Sequence, residues 1–256
     1  MRSVIAGVLL VILLGGCSST ASKHADSGEG RKDPAEVNAQ LGIEYMRKGM
    51  YESSLQVLSK AIRQNPDLQL AQVSLAILYE RLGEEDLAAK HYRKAYSIDS
   101  KDPVTLNAYG QYLCRIGQLD KADAMFAGAV KDPLYQYPEL IYTNAGICAR
   151  KRPDLELADR YFRDALKRNP KYRPALREMV RDSFAQGKFL ATRAYLQRLQ
   201  ELEALTPEFL WVGVRAENAL NDKNAVSSYA LLLKNRYPES DETQALIKWE
   251  RKPGER

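Results

Sequence analysis

The chain has 256 residues, and 38 lysines and arginines against 33 aspartates and glutamates leave it a formal charge of +5. That length carries one or two ordinary domains, and so small an excess of positive charge demands no nucleic-acid partner. Two histidines and three cysteines in no shared cluster argue against a zinc site, and no nucleophile motif pairs with either histidine, so the composition points away from an enzyme, a cofactor or a small-molecule substrate.

The first element is a short apolar run. Met1-Arg2-Ser3 is positively charged, Val4 to Leu14 is apolar apart from Gly7, and Gly15 and Gly16 lead to Cys17. A spanning helix needs about 20 apolar residues, and this run stops short, which makes residues 1–16 a signal peptide. Leu14-Gly15-Gly16-Cys17 resembles the lipobox of bacterial lipoproteins. The resemblance implies that the peptide is removed and that Cys17 carries acyl chains on its sulfur and its amine, which together make a stable anchor. It also implies an outer-membrane address, because Ser18 and Ser19 follow in place of Asp. The plain alternative is an ordinary signal peptide with an incidental cysteine. Residues 17–34 are then the acylated start and a small, polar tether. Fully extended it reaches about 55–60 Å, and typically about 20–25 Å.

From Ala35 the sequence repeats with a period of 34, each unit reading as two antiparallel helices, the tetratricopeptide form. Stepping by that period gives repeats at about 35–68, 69–102, 103–136, 139–172, 173–206 and 207–240. The first carries Leu41, Gly42, Tyr45, Gly49, Leu58, Ala61 and Pro66, and the third Tyr109, Gly110, Gly117, Ala122, Phe126 and Ala129. The fourth has Arg152-Pro153 where a repeat turn usually has Gly, and the fifth and sixth are weaker matches. A capping helix over 241–249, with Asp241 as its N-cap, closes the array before a tail at 250–256. The fold class expected is an all-α, right-handed superhelix spanning 35–249.

In such a superhelix the first helix of each repeat lines the concave side, and the fold implies that places two, five, nine and twelve point into the groove. Repeats one and two offer Ala39, Ile43, Met46, Leu70, Val73 and Ile77, an apolar end. Repeat three offers Asn107, Gln111 and Cys114, and repeats four to six Arg150, Arg177, Arg181, Trp211, Arg215 and Asn218, a basic end. The apolar end suits an apolar or amphipathic segment of another protein; the open alternative is that the tether or a neighbouring helix covers it. The basic end suits acidic side chains or a terminal carboxylate, or is a run of solvated arginines. Cys114 and Cys148 lie one repeat apart, so a disulfide between them is plausible in an oxidising compartment, with two small buried thiols as the alternative.

"NAYGQYLCRIGQLDKADAMFAGAVKDPLY" and "NAGICARKRPDLELADRYFRDALKRNP", with "LWVGVRAENALND" and "YPESDETQAL" nearer the C-terminus, resemble the type IV pilus biogenesis lipoproteins of the PilF/PilW type. The resemblance covers nearly the whole chain. It implies a pilotin, an outer-membrane lipoprotein with its repeats in the periplasm, without a cofactor and monomeric. Such a protein binds secretin subunits and promotes their localisation and multimerisation into the pilus pore. A repeat adaptor for barrel assembly or for cell-wall hydrolases would share the architecture.

Overall fold

A computed structural model describes residues 33–152 and 155–251. Cys17, the signal peptide and the tether through residue 32 lie outside the described residues, as does Pro153. Within the described residues the chain forms thirteen helices and no strand. They come as six pairs and a cap. The pairs are α1 (Pro34–Arg47) with α2 (Tyr51–Gln64), α3 (Gln69–Leu82) with α4 (Glu85–Ile98), and α5 (Pro103–Arg115) with α6 (Leu119–Ala129). Then come α7 (Pro138–Ala149) with α8 (Leu155–Arg168), α9 (Arg173–Ala185) with α10 (Phe189–Gln200), and α11 (Pro207–Ala219) with α12 (Lys223–Arg236), and α13 (Asp241–Glu250) ends the array.

Local chemistry sets the ends of these helices. Five prolines, Pro34, Pro103, Pro138, Pro174 and Pro207, sit at the first or second position of their helices, where the missing N–H has no partner to lose. Asp102 caps α5 by accepting from Thr105 N–H at 2.7 Å. The turn inside a pair needs a left-handed residue, and the fifteenth place supplies it: Gly83 and Gly117 have φ of 79° and 80°, where a side chain would strain the backbone. In the sixth pair Asn221 takes φ 59° at the same place, as asparagine can. The cap of α13 differs from the expectation by one residue. Ser240 is the N-cap, its hydroxyl accepting from Thr243 N–H at 3.2 Å, and Asp241 falls in the first turn instead, where its charge suits the helix dipole.

Four of the six pairs are closed by a knob against a glycine, Leu58 against Gly42 in the first. A Cβ on Gly146 would lie 2.5 Å from Phe162 of α8, and the same contact recurs between Gly110 and Phe126 and between Gly213 and Tyr229. The pairs stack through three successive apolar clusters. One holds Met46, Leu58, Leu75 and Leu78, the next Tyr92, Leu106, Phe126 and Ile141, and the last Phe162, Leu176, Leu196, Phe209 and Leu246. Tyr161 packs on both of the last two and joins them. Each cluster draws on more than one pair, so no single pair buries its apolar face alone.

Candidate functional site

The first helices of successive pairs, α1, α3, α5, α7, α9 and α11, pack side by side, and this face holds the residues that the repeat frame assigns to a groove. The structure divides them into three groups. Ala39, Met46 and Val73 are buried. Met46 and Ala39 pack with Leu58, Ala71 and Leu75, and Val73 packs with Ala76 and Tyr92. The open apolar strip expected there is therefore corrected: neighbouring first helices approach closely enough to take these side chains into the core. Ile43, Leu70 and Ile77 are half-buried, the last two leaning on the same cluster.

The basic end is corrected as well. Arg150 bonds the Glu178 carboxylate and lies 3.4 Å from Asp182. Arg177 grips Glu203 with two bonds of 2.8 and 2.7 Å. Arg181 grips Glu208 at 2.7 and 2.9 Å and adds Glu178 at 2.7 Å. Paired guanidinium and carboxylate planes match in geometry, which favours such forks over single contacts. The hydrogen bond from Arg181 holds the Glu208 carboxyl below its ordinary range, and Glu208 in turn raises Arg181. Burial pushes Asp182 upward despite Arg150 beside it. These arginines are staples between helices, not a free cationic surface. The repeat frame missed their partners, although acids 26 to 28 residues downstream of each arginine were a readable signal. Trp211 is half-buried, edge-on to Trp249 at 6.2 Å. Arg215 is exposed and lies 4.8 Å over the Phe184 ring.

The third group surrounds a recess of about 210 Å³ in the middle of the face. Its floor is Phe126 and the disulfide joining Cys114 to Cys148, whose Cα atoms are 5.7 Å apart. Ile147, 44% exposed, forms an apolar wall. Gln111, Arg115 and Lys151 form a polar rim. Lys151 Nζ donates to Cys114 O at 2.9 Å, Arg115 bonds Glu80, and Asn144 donates to Asn107 Oδ1 at 3.0 Å. Asn107 is thereby buried and engaged, while Gln111 stays exposed with a long bond of 3.4 Å to Asn107 O. Ile147 occupies the ninth place of the fourth repeat, like Ile43 and Ile77 in theirs, and it was missed because only Arg150 was taken from that repeat.

An apolar floor under a polar rim can hold one side chain of an extended segment while the rim meets its backbone. It offers no acid–base pair. His91 bonds Gln72 at 2.7 Å and stacks on Tyr79, and burial lowers its pKa, which favours the neutral ring. Among the described residues no three His, Cys, Asp or Glu side chains are placed to hold a metal, and no helix is long and apolar enough to cross a membrane.

The Tetratricopeptide repeat family matches residues 40–103. The chain is 27% identical over 237 residues to the type IV pilus assembly protein PilF of Pseudomonas aeruginosa, covering 92% of this chain and 94% of that protein. The crystal structure of PilW, a type IV pilus biogenesis factor, superposes with a TM-score of 0.75 at 29% identity, covering 85% of this chain and 100% of PilW. The structure of Pseudomonas aeruginosa PilF gives 0.74 at 27% identity, over 86% of this chain and 99% of that one. Similarity at this level over nearly the full length of both chains, on a shared array of helix pairs, makes the protein a tetratricopeptide-repeat protein homologous to PilF and PilW of type IV pilus biogenesis.

Proposed function

We propose that this protein is a pilotin, anchored in the outer membrane through acylated Cys17, that binds secretin subunits and promotes their localisation and multimerisation into the pilus pore. The kinship with pilus proteins supports the pathway, and the lipobox-like Leu14-Gly15-Gly16-Cys17 supports the anchor. The observation that carries the binding role is the recess between α5 and α7. It is an open, apolar-floored recess on a face where Ala39, Met46 and Val73 are core and Arg150, Arg177 and Arg181 are ion-paired. A secretin segment would insert one apolar side chain against Ile147 and the disulfide. Acylation then delivers the captured secretin to the membrane, where local concentration favours assembly.

Ile147→Glu places a charge in that recess at an exposed position and leaves the core untouched. The variant keeps its helical circular-dichroism signal and loses secretin in a pull-down from membranes. Undiminished recruitment by a folded Ile147→Glu protein sinks the recess as the docking point. Cys17→Ser, in parallel, leaves a protein that still captures secretin but fails to place rings in the outer membrane; normal rings with that variant would make lipid-driven delivery wrong.

A further inference from the structure

A second surface, at the far end of the same row, has features that the helix array does not explain. In the fifth repeat the ninth-place Arg181 is saturated by Glu208, the second-place residue of the next first helix. The equivalent pair one repeat later would be Arg215 with Glu242. It does not form among the described residues. Arg215 is exposed and lies over the face of Phe184. The acids closest in sequence to Arg215 and Phe184 are engaged elsewhere: Glu217 and Asp222 both bind Arg193 on α10, and Asp182 lies beside Arg150. Among the described residues Arg215 is thus a cation stacked on an aromatic ring with no carboxylate.

Phe184 leads from that cation to an apolar recess. Its ring meets Phe189 edge-on at 5.9 Å. Phe189, Leu190, Ala191 and Leu220 line a cleft of about 440 Å³, with Lys188 at its lip. Leu190 is 69% exposed. Repeats one to four carry Glu52, Asp86, Asp120 and Glu156 at this eighteenth place, acids that suit the first turn of a helix. A leucine there faces solvent and lacks the charge that favours a first turn. Repeat five has therefore given up a solvated position to build an apolar surface beside an unpartnered arginine.

We propose that this surface docks an acidic, apolar peptide segment of a partner protein. A carboxylate side chain bonds the Arg215 guanidinium, and a neighbouring leucine or phenylalanine enters the cleft against Leu190 and Phe189. Charge complementarity selects the anion: Arg215 and Lys188 are both exposed cations, and among the described residues Arg215 pairs with no carboxylate. The proposal rests on the docking role assigned above to this protein, but it names a separate surface from the disulfide recess.

The test is a nuclear magnetic resonance titration of the isotope-labelled full-length protein, with no secretin present. The probe is the N-acetylated, C-amidated hexapeptide Ser-Leu-Glu-Phe-Leu-Ser, compared with the same peptide carrying Gln for Glu and with the Gln peptide bearing a free C-terminal carboxylate. The Glu peptide is expected to shift amides at 184–191 and 214–220 and to bind about three- to tenfold more tightly than the amidated Gln peptide, as for a partly exposed charged pair. Arg215→Gln should erase that ratio, Arg215→Lys should keep part of it, and Leu190→Glu should abolish binding of all peptides. Equal binding of the amidated Glu and Gln peptides, stronger binding of the free-carboxylate peptide than of the Glu peptide, or shifts elsewhere would overturn the proposal. Shifts confined to residues around Ile147 and Gln111 would reject this surface while leaving the disulfide recess standing.

Discussion

The two halves of the array are held together in opposite directions. In the first half a cation at the thirteenth place of each later repeat reaches back to the twelfth residue of the repeat before. Arg81 donates to Met46 O at 3.2 Å, Arg115 bonds Glu80, and Lys151 donates to Cys114 O at 2.9 Å. In the second half that place holds Ala185 and Ala219, and arginines of the earlier repeat reach forward: Arg150 to Glu178, Arg181 to Glu208, Arg193 to Glu217. Two of the three back-reaching cations meet backbone carbonyls at helix ends, where a positive charge is favoured. Forward-reaching arginines meet carboxylates, so their hold depends on protonation and salt. The same superhelix is thus stapled by two chemistries, and only the carboxylate kind, which includes Arg115–Glu80 in the first half, titrates.

The halves meet at the junction of repeats three and four, which carries the Cys114–Cys148 disulfide, the Asn107–Asn144 bond, and Arg152 bridging Asp120 and Asp123. The largest expected effect is here. Replacing both cysteines with alanine should lower stability by about 2–4 kcal/mol, as loss of a 34-residue loop constraint does, and should split one urea transition into two as the halves uncouple. An unchanged single transition would mean that the remaining junction contacts, the packing around Tyr161 with the Asn107–Asn144 and Arg152 bonds, couple the halves without the disulfide. A smaller effect, confined to the second half, comes from Glu208→Gln. The Arg181–Glu208 pair is partly exposed, so its loss costs about 0.5–1 kcal/mol at neutral pH after screening. Because the folded Glu208 carboxyl lies below the ordinary value of 4.5, its contribution is present above that value and disappears as the pH falls through the folded one. Asp182, pushed upward by burial, works the other way, and its penalty is relieved on acidification. Wild type and Glu208→Gln should therefore converge in acid melts; a gap that persists there would mean the pair does not stabilise through charge.

Much of this fold was legible because repetition multiplies weak signals. Gly42, Gly110 and Gly146 recur at the eighth place opposite Leu58, Phe126 and Phe162, with Gly213 and Tyr229 one place earlier in the sixth repeat, and a periodic pattern of that kind needs no tertiary information. The groove was less legible, since the repeat frame says which face a residue shares but not how closely the next helix approaches. Met46 and Val73 read as surface and are core; Arg177 and Arg181 read as a basic surface and are saturated. Ile147 and Leu190 carry the apolar exposure of the two recesses, and Leu190 stands out only when its place is compared across the repeats, where the first four carry acids.

The smallest effect separates the two staples most cleanly. Arg81→Met keeps most of the alkyl stem and removes the guanidinium that reaches Met46 O. A cation at a helix C-terminus is worth about 0.3–1 kcal/mol, so the variant should melt slightly earlier than wild type. The acceptor is a carbonyl, which has no proton to gain between pH 7 and pH 3, and an arginine stays charged throughout that range. The deficit of Arg81→Met should therefore remain when the pH is lowered, whereas that of Glu208→Gln closes. A deficit for Arg81→Met that vanishes in acid would place a carboxylate, not the backbone, at the other end of the first-half staple.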